Sequence, residues 1–309
     1  MDEDPGLDMW ALDVTRFGPV HSTDAFLDMR TIESYFNYYQ MHPPGKEAQS
    51  ARPARCSPLH SVLAKHGAVF GSKFGHERPN WFSTTPGPPP AEEPSYTHPN
   101  WSDSVAAEHT AIREGVAMID MSSFRKLEVA GAGALAGLNR MTVSDLDVPV
   151  GDVVYTQMCN RRGGIEADVT VARLGEDLFY VVTGSGFGEH DFCWIQRGLR
   201  EQGDADATTT TTDVGPGYAV INLTGPRSRD VLAAVTSQPV DDEAFPFMTS
   251  RTLSIGLAAG VRALRVTFVG ELGFELHVPA ESAVYLYGRL WEAGQPHGIV
   301  NAGYRVSHP

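Results

Sequence analysis

The segment IEADVTVAR, residues 165–173, reads as a β-strand with an acid at its centre. Alternation places Ile165, Ala167, Val169 and Val171 on one face and Glu166, Asp168 and Thr170 on the other. Aspartate is depleted in strand interiors because its side chain competes for backbone hydrogen bonds, so Asp168 asks for a reason. It belongs either to the solvated face of an antiparallel sheet or to a cleft, where rigid backbone would hold its carboxylate to accept a proton or orient an amine. A second carboxylate, Glu271, sits in VTFVGELGFELHVP within a tight turn flanked by glycines. It is either an ordinary solvated turn residue or a carboxylate aimed inward. Aimed inward, it suits a planar ligand edge with two adjacent N–H donors, because two parallel charge-assisted bonds form at once. Glu275, between Phe274 and Leu276, reads as an exposed strand residue or the partner of a nearby arginine.

Other chemical signals are weak. Gly184, Gly186 and Gly188 follow a strand and precede a helix, but an acid, Glu189, stands where a dinucleotide fingerprint needs its last glycine, and a negative charge there opposes a bound phosphate. GPRSR at 225–229 lacks the lysine of a phosphate-binding loop. The 11 histidines form no HExxH or paired ligand spacing, so no metal site is expected. Cys159 has no histidine nearby to activate it, and no GxSxG elbow occurs. TTTTT at 208–212 reads as a variable polar loop.

The elements that must position the two carboxylates follow a repeated order. FRKLEV is a strand, GALAGLNRM a helix, VVYTQMC and IEADVTVARL a hairpin across NRRGG, LFYVV a strand, and EHDFCWIQRGLR a helix. YAVINL, RSRDVLAAV, VRALRVTFV, FELHV and AVYLYGRLWEA repeat that order. Gly131 and Gly225 lie 94 residues apart, and Phe179 and Phe274 lie 95 apart. These spacings predict an α+β fold built from tandem halves with a cleft between them. Ahead of it, Val105, His109, Ile112 and Val116 share one face of a helix that Ser102 or Ser104 would cap. The expected organisation is a mixed segment over 1–82, a proline-rich linker over 83–100 and the regular α+β part over 101–309.

The chain has 309 residues with 24 Lys+Arg against 38 Asp+Glu, a net charge of −14. That excess repels phosphate backbones and anionic lipid, which argues against a nucleic-acid or membrane-surface partner. Three scattered cysteines argue for a reducing compartment and against a disulfide framework. No apolar run is long enough to span a membrane, and the start MDEDPGLD is acidic where a targeting peptide would be basic. The expected location is the cytoplasm, or the mitochondrial matrix in a eukaryote.

HTAIREGVAMIDMSSFRKLEVAGAGA, GDVVYTQMCNRRGGIEADVTVARLGEDLFYVVTG and RVTFVGELGFELHVP together resemble the folate-binding aminomethyltransferase domain, similar to glycine cleavage T-protein, in the version fused to sarcosine and dimethylglycine dehydrogenases. The segment from RTIESYFNYYQMHPP to GAVFGSKFGHERPNWF resembles the end of the FAD-dependent oxidoreductase half of those enzymes. The resemblance implies one-carbon metabolism, in which tetrahydrofolate captures a unit from an iminium or aminomethyl group. It implies that Asp168 orients or deprotonates the attacking folate nitrogen, that Glu271 grips the pterin edge, and that Tyr155, Met158, Phe124 and Val182 line the folate pocket.

The chain departs from that family in three places. Phe268 stands where a tyrosine is common, His76 where the bridge usually has tryptophan, and VSHP follows NAGYR where a further helix and a β-barrel would continue. The expected partners are therefore folate, an amine-derived substrate, and the absent oxidoreductase and barrel domains. FAD would be held by that absent oxidoreductase domain, so the chain alone is expected to lack oxidoreductase activity. Two other functions fit the same residues: a glycine-cleavage aminomethyltransferase, and a non-catalytic relative such as a pyruvate dehydrogenase phosphatase regulatory protein. An anionic folate tail would need a local basic patch, for which Arg125, Lys126, Arg161 and Arg162 are the candidates.

Overall fold

The computed structural model describes residues 9, 13–85, 87–201 and 208–307. Pro86 of the linker, the acidic start and the last two residues of VSHP lie outside them. In chain order the elements are α1 (Asp24–Asn37), α2 (His60–Lys65), β1 (Ala68–Lys73), β2 (His76–Phe82), α3 (Ser102–Glu114), β3 (Ala117–Asp120), β4 (Arg125–Ala130), α4 (Ala134–Met141), β5 (Val153–Cys159), β6 (Ile165–Gly175), β7 (Leu178–Thr183) and α5 (Gly188–Arg200). They continue with β8 (Thr210–Asp213), β9 (Tyr218–Thr224), α6 (Ser228–Val235), β10 (Ser250–Ile255), β11 (Ala258–Leu264), β12 (Gly273–Pro279), α7 (Ala283–Gly294) and β13 (Val300–Ala302).

The strands form a β1–β2 hairpin and two larger sheets, ordered β5-β6-β7-β4-β8 and β10-β11-β12-β9-β3-β13. The run β5-β6-β7-β4 and the run β10-β11-β12-β9 have the same order and the same antiparallel pairing. The fold is α+β, and its two halves repeat one topology. After the first strand of each half the chain passes through a glycine, Gly131 at φ +125° and Gly225 at φ +114°. A Cβ at either would stand 2.5 Å from a backbone oxygen, of Thr208 and of Gly115 respectively. Both turns therefore need glycine for conformation and for space.

Each sheet buries one face under its own helices. Leu127, Val129, Met158, Ala167, Val169, Val171, Phe179 and Val181 pack with Leu138 and Ile195 from α4 and α5. Ile221, Leu223, Phe274, Leu276 and Val278 do the same with Leu232, Leu286 and Leu290 from α6 and α7. The remaining faces turn toward each other. Val153, Ala172, Tyr180 and Val182 of one sheet meet Leu264 and Val266 at the end of β11, and Tyr180 shares a hydrogen bond of 3.0 Å with His277 of β12.

Three local expectations are corrected. Thr210–Asp213 is no loop: it pairs along β4 as an edge strand, where β-branched threonines fit a half-exposed position. Helix α3 begins after Trp101 without a side-chain cap, and Ser102 bonds to Pro99 O instead. Loop Arg265–Leu272, wider than a tight turn, joins β11 to β12. The described part of the proline run carries neither helix nor strand, and Glu92 within it is buried against Arg305 at 3.0 Å.

Candidate functional site

Asp168 lies on the face of β6 that turns away from the helices, opposite Gln157 of β5 in the register. The same parity puts Tyr155, Thr170 and Val182 on that face. Tyr155, more than half exposed, donates its phenolic O–H to Asp168 Oδ2 at 2.7 Å. The carboxylate beside it raises the Tyr155 pKa, since a phenolate there would lose that bond and face a like charge. Asp168 is exposed, so its carboxylate is rigidly based, oriented by one donor and open to a ligand.

Glu166 does not share that face. A bulge sets Cys159 opposite Ile165 and Met158 opposite Ala167, which leaves Glu166 as the extra residue. Its carboxylate takes Asn160 Nδ2 at 2.8 Å and faces His190 of α5 at 3.4 Å. The same bulge leaves Ile165 exposed instead of in line with Ala167, Val169 and Val171. Met158 points the other way as well, fully buried among the helix-side residues. Tyr155, Asp168 and Val182 therefore share one face, and Met158 supports the sheet from behind.

Glu271 lies in the loop between β11 and β12, where Arg113 Nε meets its Oε1 at 3.0 Å. No hydrogen bond or ion pair joins Glu271 to Asp168 among the described residues. They are connected through apolar groups: Phe268, three residues before Glu271, stands edge-on to Phe124 at 5.9 Å between ring centroids, and Phe124 packs on the cluster containing Val182. Phe124 also stacks near Tyr304 at 6.4 Å. The arrangement is an apolar wall, Phe268–Phe124–Val182, with a carboxylate toward each end. It suits a flat heteroaromatic group with polar edges.

The polar groups between the sheets were not expected. Glu275 is buried and meets His277 Nε2 at 3.3 Å, and His277 continues to Tyr180. Burial lowers the His277 pKa, the Glu275 carboxylate opposing it, and the ring joins the two sheets. The proposed basic patch also differs from expectation. Lys126 is fully buried, donating to Ser122 O at 2.8 Å and Tyr218 O at 3.1 Å. Burial lowers its pKa to about 8. Arg125 is held between Glu189 at 2.7 Å and Asp213 at 3.1 Å, and Arg161 reaches Glu201 at 3.1 Å. Period-two alternation could have shown Lys126 on the inward face, but nothing local identifies the partners of Arg125.

Residues 59–308 match the family described as GCVT N-terminal domain, and residues 3–57 match the FAD dependent oxidoreductase central domain. Among curated relatives, 4-methylaminobutanoate oxidase (formaldehyde-forming) of Paenarthrobacter nicotinovorans is 41% identical over 98% of this chain and 36% of its own length. The mitochondrial pyruvate dehydrogenase phosphatase regulatory subunit of Mus musculus is 37% identical over 97% of this chain and 34% of its own. Human mitochondrial sarcosine dehydrogenase is 35% identical over 98% and 36%. The chain thus spans about a third of these relatives' length. The solved aminomethyltransferase T of the glycine cleavage system from Bartonella henselae shares the fold, with a TM-score of 0.65 and 22% identity over 82% of this chain and 61% of that one. No helix among the described residues is long and apolar enough to cross a membrane. With a match running from residue 59 to residue 308, the chain belongs to the GCVT N-terminal domain family, and sarcosine and dimethylglycine dehydrogenases are among its relatives.

Proposed function

We propose that this chain is the folate-binding, one-carbon-transfer module of a sarcosine or dimethylglycine dehydrogenase-like enzyme. The observation that carries the reading is the exposed Asp168 carboxylate, oriented by Tyr155 at 2.7 Å on the same face as Val182. The residues fit a reduced pterin: rings at Phe124 and Phe268 take its flat faces, and Glu271 takes its paired N–H donors. Bound tetrahydrofolate supplies the nitrogen that receives the one-carbon unit. Asp168 holds that nitrogen in orientation and accepts its proton. Holding the donor carbon beside the nitrogen contributes more than proton transfer does, because a pre-oriented pair removes several kcal/mol of entropic barrier. FAD belongs to an oxidoreductase partner domain, to which residues 3–57 belong by resemblance. The proposed location is the cytoplasm, or the mitochondrial matrix of a eukaryote.

The 37% identity to a phosphatase regulatory subunit favours a second reading, a non-catalytic interaction module. Calorimetric titration with tetrahydrofolate separates the two. Saturable binding that weakens about 10- to 100-fold in Glu271→Gln, the loss of one charge-assisted contact, supports the folate reading. A folded chain that does not bind tetrahydrofolate overturns it. In a full-length protein carrying this module, Asp168→Ala is expected to abolish formation of methylene-tetrahydrofolate and leave amine oxidation intact; unchanged transfer would remove Asp168 from the mechanism.

A further inference from the structure

A cavity of about 290 Å³ lies where the oxidoreductase-like segment meets the GCVT part, and Asp168 and Glu271 are not in its wall. Three arginines line it, Arg16, Arg55 and Arg125. Arg125 is shared by Glu189 at 2.7 Å and Asp213 at 3.1 Å, so that group carries one negative charge in excess. Arg16 and Arg55 have no carboxylate within 4.0 Å among the described residues. Arg16 lies over the rings of Phe17 and Phe74 at 4.8 and 5.4 Å, and its Nε–H is buried with no hydrogen-bond partner. Arg55 is fixed to the β1–β2 hairpin through its backbone, by Arg55 N–H to Gly75 O at 2.9 Å and Glu77 N–H to Arg55 O at 2.7 Å. No hydrogen bond among the described residues holds its guanidinium.

A fourth cation, Lys73, closes one edge: its Cε stands 3.3 Å from where a Cβ at Gly186, a wall residue, would be. It too has no carboxylate within 4.0 Å among the described residues. Glu47 attracts it from farther off, but that carboxylate accepts Ser72 N–H at 2.6 Å and Asn80 Nδ2 at 3.3 Å. The remaining ionisable groups do not offset these cations. Glu77 is taken by Arg52 at 2.6 Å. Behind the wall the buried Lys126 and Asp120 balance each other. Burial lowers the pKa of His21 and of His76, the latter to about 3, and neither ring can supply negative charge. In a chain of net charge −14, the cavity therefore keeps two positive charges in excess. Burial lowers the pKa of Arg55 and of Lys73, and neighbouring arginines add to it, Arg125 at Arg55 and both Arg78 and Arg16 at Lys73.

We propose that this cavity binds a tetrahedral dianion of the phosphate class, its oxygens on Arg16 and Arg55 and one edge toward Lys73. Two negative charges match the excess, and a guanidinium fork matches a pair of phosphate oxygens. A monocarboxylate would leave one cation uncompensated. The acid at position 189, which argues against a phosphate in the sequence, is turned onto Arg125 and does not stand free against the guest. The volume, at the small end for ligand pockets, suits phosphate or a small phosphate ester. The site uses neither Asp168 nor Glu271, so it stands independently of whether folate binds.

The test titrates the full 309-residue chain with inorganic phosphate in a calorimeter at low salt, with acetate as the monoanion control. Saturable phosphate binding is expected, with acetate at least about tenfold weaker. Arg16→Gln and Arg55→Gln are each expected to lose about tenfold or more, and Arg55→Lys to recover part of that loss. Glu189→Gln removes one acid from the wall and should tighten phosphate, a gain that general loosening of the fold cannot give. Arg289→Gln, the same change of charge on the exposed side of α7, should leave the affinity as it was. Glycerol phosphate separates the sources: binding tighter than inorganic phosphate assigns the site to a phosphate ester, weaker binding assigns it to free phosphate, and both uphold it. Tetrahydrofolate titration of the Arg16 and Arg55 variants should be unchanged, which separates failure here from failure of the folate reading. No saturable phosphate binding by the folded chain, acetate binding as tightly as phosphate, an unaffected Arg55→Gln, or an equal loss in Arg289→Gln each overturns the proposal. If the glutamine variants of Arg16 and Arg55 do not fold, Arg55→Lys and Glu189→Gln decide it.

Discussion

The Tyr155–Asp168 bond shows how a strand orients a carboxylate without burying it. Both side chains stand on paired strands, and the phenolic bond restricts the two side-chain torsions of Asp168. Tyr155→Phe keeps the ring and removes only the donor. In a full-length protein carrying this module it should lower kcat for the proposed one-carbon transfer about 10-fold or more, roughly the weight of one hydrogen bond to a charged acceptor. On the proposed folate site, KM for folate should stay close to its original value, because Glu271 and the rings are untouched. A rise in KM with kcat unchanged would show that Tyr155 binds folate and does not orient Asp168. Alternation along β6 was enough to find Asp168 and its face. It misplaced Glu166 and Ile165 because a bulge interrupts the period, and GGIE has no residue that announces one. The partner of Glu271, Arg113, comes from α3, far away in sequence, so no local pattern could indicate it.

At the scale of elements, the repeated order of strands and helices was readable because each half carries its own periodicities and the same glycine after its first strand. Gly225→Ala tests that reading. It forces a positive φ on a residue with a Cβ and drives that atom into Gly115 O, so a loss of about 2–4 kcal/mol is expected in urea denaturation. Glu108 was not readable, since an acid on an amphipathic helix normally marks the wet side. It is instead buried, and its two oxygens accept Phe82 N–H at 2.7 Å and Gly303 N–H at 2.9 Å, tying α3 to β2 and to the end of β13. Glu108→Ala leaves both donors orphaned and should cost about 2–5 kcal/mol. Burial raises the Glu108 pKa from 4.5 to about 7, the two N–H bonds only partly opposing it. The folded chain therefore holds this proton where the unfolded chain has lost it. The contribution is fully present below about pH 4.5 and is lost as pH rises through about 7. Denaturation at pH 5 and pH 8 should show a smaller difference for Glu108→Gln than for the original chain; equal differences would show that Glu108 does not carry the slope.

In the whole molecule, the segment preceding the GCVT part presents apolar side chains outward while its base is held firmly. Helix α1 buries none of its residues, and Ile32, Tyr35 and Phe36 are each more than half exposed. Composition shows such residues as core material and cannot tell that here they face outward. What holds the segment is polar. Arg52 spans the junction to β2 with Nε to Glu77 Oε1 at 2.9 Å and Nη2 to Glu77 Oε2 at 2.6 Å, and Nη2 also reaches Phe70 O at 2.9 Å. Glu77 is buried, so a bidentate pair with little water around it differs from an exposed one. Removing one partner leaves a charge that neither water nor protein compensates. Arg52→Ala should therefore cost about 3–5 kcal/mol where a surface pair would cost less than about 1. The loss should be local to the junction, since the cores of the two halves do not depend on this pair. Limited proteolysis should then cut before residue 59 well before the GCVT part is digested, and the double variant Arg52→Ala, Glu77→Gln should recover part of the resistance by removing the stranded charge. If Arg52→Ala digests at the original rate, the junction is held by its backbone bonds and apolar contacts, and the ion pair only decorates it.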